Sequence, residues 1–117
     1  MKSLNTTVKK PWGQFDDLAE KKGKWHLKAL KIKKGHRLSL QKHKKRSELW
    51  IVAEGKIKAQ CGSKIYILFP PKNIFIKKNM IHRMYALLDS VVIEVSFGLH
   101  QEKDILRLED DYGRNPR

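Results

Sequence analysis

The sequence predicts one all-β domain built as an antiparallel sandwich or barrel, and three observations point to it. The chain has 117 residues, enough for one buried core and too few for a second folded domain. From Trp25 onward, short runs rich in β-branched and aromatic residues recur between turn residues. Helical spacing is confined to two short stretches, 15–21 and 101–108. Many short strands with little helix between them close most readily as a sandwich or barrel.

Taken in order, residues 1–23 read as an N-terminal arm lying over the barrel, 24–98 as its core and 99–117 as a tail with a short helical segment. The alternating runs predict strands over 25–33, 37–43, 49–53, 56–61, 64–69, 73–77, 82–87 and 90–97. Gly62-Ser63 separates two of these runs by the two residues of a tight hairpin, and Glu54-Gly55 breaks the preceding pair in the same way. Trp12, Trp25 and Trp50 are expected in the core or at its edge rather than as a sugar platform. His26, His36 and His100 flank charged or turn residues and are expected to be exposed and inert. Cys61, the one cysteine, reads as a hairpin residue without an internal partner.

The formal charge is +14, which raises nucleic acid as a partner. The lysines, however, are scattered in pairs such as Lys9-Lys10, Lys21-Lys22, Lys33-Lys34 and Lys77-Lys78. The densest run, 42–46 around His43, has no interleaved aromatics and matches no nucleic-acid module. Dispersed lysine is the pattern of a solvated surface, so nucleic acid is not the expected partner and a phosphorylated small molecule is favoured. No segment approaches the roughly 20 apolar residues of a membrane helix. The opening MKSLNTTVKK has no apolar run of signal-peptide length, and a cytoplasmic protein without a membrane partner is expected.

Chemistry is concentrated between Gly35 and Gly55. Period two places Gln41 and His43 on one face of a strand, and a turn near 45–47 lets Glu48 return opposite them. An amide oxygen, an imidazole and a carboxylate suit a divalent metal of borderline hardness. His82, on a later strand after the turn-forming Asn79, is the candidate for a fourth ligand.

Gly35, Gln41, His43, Glu48 and Gly55 stand at the spacings of the first motif of the cupins, small β-barrels of the jelly-roll type, with glutamine where most cupins have the first histidine. The second cupin motif survives as His82 alone, with Lys77, Asn79 and Ala86 at its other three positions. Asn79 is a workable substitute for the usual glycine because asparagine enters the left-handed conformation. The segments KPWG, RLSLQKH, SELWIV and above all DILRLEDDYGR carry a closer resemblance, over about nine tenths of the chain, to the cupin domain of type II phosphomannose isomerases.

That resemblance implies an antiparallel jelly-roll barrel that interconverts mannose 6-phosphate and fructose 6-phosphate with a divalent metal, zinc before other transition metals. It assigns Gln41, His43, Glu48 and His82 to the metal and places Arg46, Arg107 and Lys45 near the substrate, with Arg46 as the catalytic candidate. It also implies a homodimer paired through sheet edges, and leaves open a separate nucleotidyltransferase as partner. No Gly-rich nucleotide-binding segment is present, so guanylyltransferase activity is not carried over. Two positions depart from the family pattern. Lys45 and Leu49 stand where it has histidines, and by alternation Lys45 shares the face of Gln41 and His43 while Leu49 points away. The alternatives are a cupin that binds a phosphosugar or nucleotide sugar without turning it over, and a cupin epimerase or ketoisomerase acting on a nucleotide sugar. Glu109, Asp110 and Asp111 either tie down the tail or serve the chemistry.

Overall fold

In a computed structural model, residues 1–114 are described, and they form two antiparallel sheets whose apolar faces meet. The strands are β1 (Lys2–Lys10), β2 (Gly13–Lys21), β3 (Trp25–Ile32), β4 (Leu40–His43), β5 (Arg46–Glu54), β6 (Ile57–Cys61), β7 (Lys64–Leu68), β8 (Asn73–Ile76), β9 (His82–Ala86), β10 (Ser90–Gly98) and β11 (Ile105–Glu109). One sheet has the order β1-β2-β3-β10-β5-β8 and the other β11-β4-β9-β6-β7. The core between them includes Trp12, Leu30, Ile32, Trp50, Val52, Ile57, Ile76, Met84 and Val92. Trp12 and Trp50 are thus packing residues, and Trp25 is half-buried.

The arm takes the form of strands β1 and β2, which extend the larger sheet from β3. Stretch 15–21 is strand, not helix. Its pairing with β3 shifts register between Asp17 and Ala19, and this irregularity breaks the alternation that would have revealed a strand, leaving Phe15, Leu18 and Ala19 at helical spacing. Stretch 101–108 holds only one 3-10 turn, Glu102–Asp104, before β11 begins.

The Gly62-Ser63 hairpin stands as expected, with Cys61 paired to Lys64 across it. Burial pushes the Cys61 thiol up to about 11, which keeps it protonated and unreactive. Gly55 does something different. β5 and β6 belong to different sheets, so the chain there turns a corner of the barrel instead of a hairpin. Gly55 takes φ of +81°, and a Cβ on it would lie 2.4 Å from both the Asp89 carbonyl oxygen and Ser90 Oγ. Gly62 takes φ of +61° in open space.

The inward positions divide the barrel into two levels. On β3 they run His26, Lys28, Leu30, Ile32, and on β5 they run Arg46, Glu48, Trp50, Val52. β10 runs the other way between them, pairing Ser96 with His26 and Glu48, and Val92 with Leu30 and Val52. One end of the interior is therefore apolar and the other polar.

Gly55→Ala is expected to cost about 3 kcal/mol, since backbone strain and the clash with Asp89 act together, whereas Gly62→Ala is expected to cost about 1 kcal/mol from strain alone. Urea unfolding of the two variants checks the contrast, and equal losses would contradict the corner assignment.

Candidate metal centre

At the polar level, Glu48 is the hub. Strand alternation on β5 turns Arg46, Glu48 and Trp50 to the interior together, and Glu48 is only 1% exposed. Its Oε1 accepts a hydrogen bond from Trp50 Nε1 at 3.0 Å and its Oε2 accepts one from Arg46 Nε at 3.1 Å. His43 Nε2 stands 3.3 Å from Oε2 and His82 Nε2 stands 3.7 Å from Oε1. Burial alone would raise the Glu48 carboxyl, but the His43 hydrogen bond and the electrostatic pull of His82 and the Arg46 guanidinium more than offset it and hold the group well below the usual carboxylate range.

The two imidazoles arrive from the other sheet. His43 ends β4, and Asn79, in the left-handed conformation at φ of 65°, donates its backbone N–H to the His43 carbonyl at 2.7 Å. That turn delivers His82 at the start of β9, where Gln41 is its cross-strand partner. His82 Nδ1 lies 2.9 Å from the Met80 carbonyl oxygen, an acceptor only, so Nδ1 carries the proton and Nε2 presents a lone pair. Burial lowers the His82 pKa further toward the neutral form. His82 Nε2 and His43 Nδ1 are both buried without a hydrogen-bond partner.

One ligand atom from each of His43, Glu48 and His82 lies within 4.8 Å of the others. The contacts at 3.3 and 3.7 Å are close to the ligand separation of about 3.3 Å expected around a tetrahedral ion with bonds of ~2.0 Å. A neutral imidazole with an orphaned lone pair, a second imidazole and an ionised carboxylate fit a divalent metal of borderline hardness. Of the expected four ligands, then, three converge. The fourth, Gln41, is half-buried and lines a cavity beside Glu48.

That cavity, about 60 Å³, is also lined by Arg46, Lys28, Glu94, Arg107 and Arg114. Arg46 is 4% exposed, and besides holding Glu48 it brings Nη2 to 3.4 Å from His43 Nε2. Arg107 reaches the cavity from β11, opposite Gln41 in the register. Lys45 does not share the face of His43. The strand ends at His43, and Lys45 lies exposed in the turn to β5, with Leu49 half-buried beyond it.

Other residues escaped the sequence reading. Asp104 accepts hydrogen bonds from the Lys44 and Lys45 amides at 3.1 and 2.9 Å and so clamps the turn between His43 and Arg46. Its only signal in the sequence is its place at the head of the DILRLEDDYGR segment. Glu94 and Lys28, 3.9 Å apart inside the barrel, lie outside both motifs. Burial and the neighbouring Glu48 charge push the Glu94 carboxyl up to about 8. His26 is buried rather than exposed. Its ring nitrogens lie 2.7 Å from Asp17 and 3.3 Å from Glu20, both on β2, and it stacks on His100 at 4.0 Å between centroids. His36 is half-buried and lies 2.9 Å from the Tyr112 hydroxyl. In the tail, Asp110 binds Arg114 within the segment itself, while Asp111 binds Arg37 and so ties the segment to the barrel.

The family model for the mannose-6-phosphate isomerase C-terminal region matches residues 1–110. The alginate biosynthesis protein AlgA of Pseudomonas aeruginosa is 37% identical over 110 residues, 92% of this chain and 23% of that protein. The mannose-1-phosphate guanylyltransferase ManC of Salmonella typhimurium is 29% identical over 114 residues, 95% of this chain and 24% of that protein. The chain thus spans about a quarter of the length of these relatives. An RmlC-like cupin from Shewanella frigidimarina superposes with a TM-score of 0.76 at 16% identity, covering 85% of this chain and 87% of that one, a likeness of fold. Among the described residues, no helix is long and apolar enough to cross a membrane.

Glu48→Gln is expected to cost about 3 kcal/mol at neutral pH, because it strands the Arg46 guanidinium in the interior. The wild-type carboxyl has a folded pKa below its unfolded value, so its contribution is complete above about pH 4.5 and is lost as pH falls through the folded value. Denaturant titrations between pH 7 and pH 3 should show a shallower acid loss for Glu48→Gln than for wild type, and parallel curves would contradict this.

Proposed function

The chain belongs to the family of the mannose-6-phosphate isomerase C-terminal domain, and from that premise we propose that it is a metal-dependent isomerase interconverting mannose 6-phosphate and fructose 6-phosphate for nucleotide-sugar and polysaccharide synthesis. The observation that carries the reading is the buried His43, Glu48 and His82 cluster, whose ligand atoms lie within 4.8 Å of one another beside a basic cavity.

The reaction moves a proton between C1 and C2 of the sugar through an enediolate, so negative charge develops on the substrate oxygens. His43, Glu48 and His82 would hold the ion, with Gln41 as the fourth candidate, and zinc is the first metal to test. A bound divalent ion supplies Lewis-acid polarisation of the carbonyl oxygen. Arg46 serves twice. Its Nε fixes the Glu48 carboxylate at 3.1 Å, and as a lining residue of the cavity it would stabilise oxyanion charge on the substrate. Trp50 Nε1 holds the other carboxylate oxygen and so sets the rotamer of Glu48. Arg107, which lines the same cavity, serves the phosphate end of the substrate.

The second reading, a cupin that binds a phosphosugar without turning it over, draws on Arg46 Nη2 lying 3.4 Å from His43 Nε2, where a guanidinium competes for the ligand edge. As a homodimer, the protein would pair through β7. This strand is an edge of the smaller sheet, with Ile65 55% and Ile67 45% exposed. Light scattering should then give twice the 13.7 kDa chain mass, and Ile65→Lys with Ile67→Lys should return it to one.

The deciding experiment measures metal content and a coupled assay for fructose 6-phosphate from mannose 6-phosphate. About one metal per chain is expected, with turnover falling at least roughly 100-fold in both Glu48→Ala and His82→Ala. Stoichiometric metal without turnover would favour the binding reading, and no metal after reconstitution would remove both the ion and the isomerase.

A further inference from the structure

On the side of the larger sheet turned away from the core, the outward positions carry a patch without charge. Leu27, Val95, Leu49 and Phe75 stand side by side across β3, β10, β5 and β8, and Ala29, Ile93 and Ile51 form the next row. On the other side of the first row Trp25 pairs with Phe97, whose ring lies 6.5 Å from that of Phe75. These residues alternate with the inward residues of the same strands, so they belong to the solvent side of the barrel. Phe75 is 51% exposed, Phe97 is 40% exposed and Trp25 is half-buried. Segments 25–29, 47–53 and 91–97 hold eleven outward positions, none of them charged. A chain that is 32% charged has kept its charges off this face.

Four strands at ~4.8 Å spacing and ~3.3 Å per residue give the patch roughly 500 Å² of flat sheet, before side-chain relief is counted. A standard interface takes about 800 Å² from each partner, with an apolar centre inside a polar rim. The patch has the size of such a centre, and its surroundings are basic. Lys21 pairs with Trp25, Lys31 takes the next outward position of β3 after Ala29, and Lys72 and Lys77 flank β8, all of them exposed. Of the acids nearby, Asp16 is already paired with Lys31 at 3.6 Å, and Glu54 stands at the end of β5. A second copy would set one basic rim against another, on chains that each carry a formal +14. An occupant with an apolar centre and an acidic rim fits instead.

The first strand shows where such an occupant would lie. The family model for a C-terminal region matches from residue 1, and the matched segment is 23% of AlgA, so in that relative a long polypeptide precedes the counterpart of β1. β1 is the edge of this same sheet, two places from β3. Lys2 pairs with Glu20, and Glu20 with His26, the neighbour of Trp25. A preceding domain therefore joins at the level of Trp25 and Phe97, roughly 10 Å to the side of the patch. We propose that the outer face of the larger sheet is a docking surface for a second folded domain, the counterpart of the polypeptide that precedes this region in AlgA, through an apolar patch ringed by acidic side chains. The inference rests on family membership, and the isomerase reading does not enter it.

The three tryptophans make the test local, because Trp12 and Trp50 are buried in the core while Trp25 borders the patch. The full chain labelled with fluorotryptophan is titrated with Pseudomonas aeruginosa AlgA that lacks its matched quarter, and followed by fluorine NMR. A saturable, one-to-one shift of the Trp25 resonance is expected, with those of Trp12 and Trp50 unmoved. Phe75→Lys and Phe97→Lys, both at exposed positions, should each weaken binding about tenfold or more at an unchanged melting temperature. Ile65→Lys, on the other sheet, should leave it unchanged. If the AlgA fragment does not stay folded, the same resonance is read with this chain fused in place of the matched quarter, where Phe75→Lys with Phe97→Lys should return it to the position seen in the isolated chain. The proposal is overturned if Trp25 does not respond, or if the phenylalanine variants bind as tightly as wild type. It is also overturned if those variants lower the mass of the chain alone in light scattering, which would make a second copy the occupant. Its fate is separable from that of the isomerase. A Trp25 response without turnover upholds the docking surface and rejects the isomerase, while turnover without a Trp25 response rejects the docking surface alone.

Discussion

Glu48 places a carboxylate at the centre of a small barrel, and much of the polar end of the fold can be read as the cost of keeping it ionised there. An uncompensated buried charge costs several kcal/mol, so each of its oxygens must be met by donors of fixed position. Arg46 and Trp50 meet them from the same strand, two residues to either side, while His43 and His82 approach from the opposite sheet. The carboxylate therefore ties the two sheets together at the end where the apolar core has run out. Remove the charge and the guanidinium, indole and imidazoles have no common partner.

This also explains why the interior is layered. β3 and β10 change from apolar to polar inward residues at one height, from Leu30 and Val92 to Lys28 and Glu94, and β5 one inward position further along, where Glu48 stands beyond Trp50. The apolar level supplies the hydrophobic stabilisation, at about 25 cal/mol for each Å² of apolar surface removed from water, and leaves the upper level free to carry polar chemistry. A cavity lined by cations can persist there because the lower level is packed by Trp50, Ile57 and Met84.

The convergence of His43, Glu48 and His82 was legible because a strand holds its period. Gln41, His43 and Glu48 stand at spacings that only one local geometry reconciles, and Asn79 signalled the turn that carries His82. Lys45 was misplaced because the alternation was carried two residues too far, past the point where β4 gives way to a turn that Asp104 holds. The N-terminal strands were hidden by the register shift in β2, and with β2 read as helix the partners of His26 could not be seen, since Asp17 and Glu20 both lie on it. Gly55 looked like a hairpin residue because sequence gives the turn and not the sheet to which the next strand belongs. The cavity itself had no signature, being assembled from residues between Lys10 and Arg114.

The span of that assembly bears on how the protein is made. Asp104 clamps amides 59 and 60 residues earlier, Asp111 holds Arg37 across 74 residues and Tyr112 meets His36 across 76. Contacts of such separation form late, after the loops between them have been closed by other pairings. A chain emerging from the ribosome can pair β3, β5 and β10 before residues 104–114 are available, and during that interval the basic cavity has no β11 wall and the turn between His43 and Arg46 has no clamp. Residues 104–114 thus act as a closing seam, and the polar end of the barrel gains its final form only when they are sewn in.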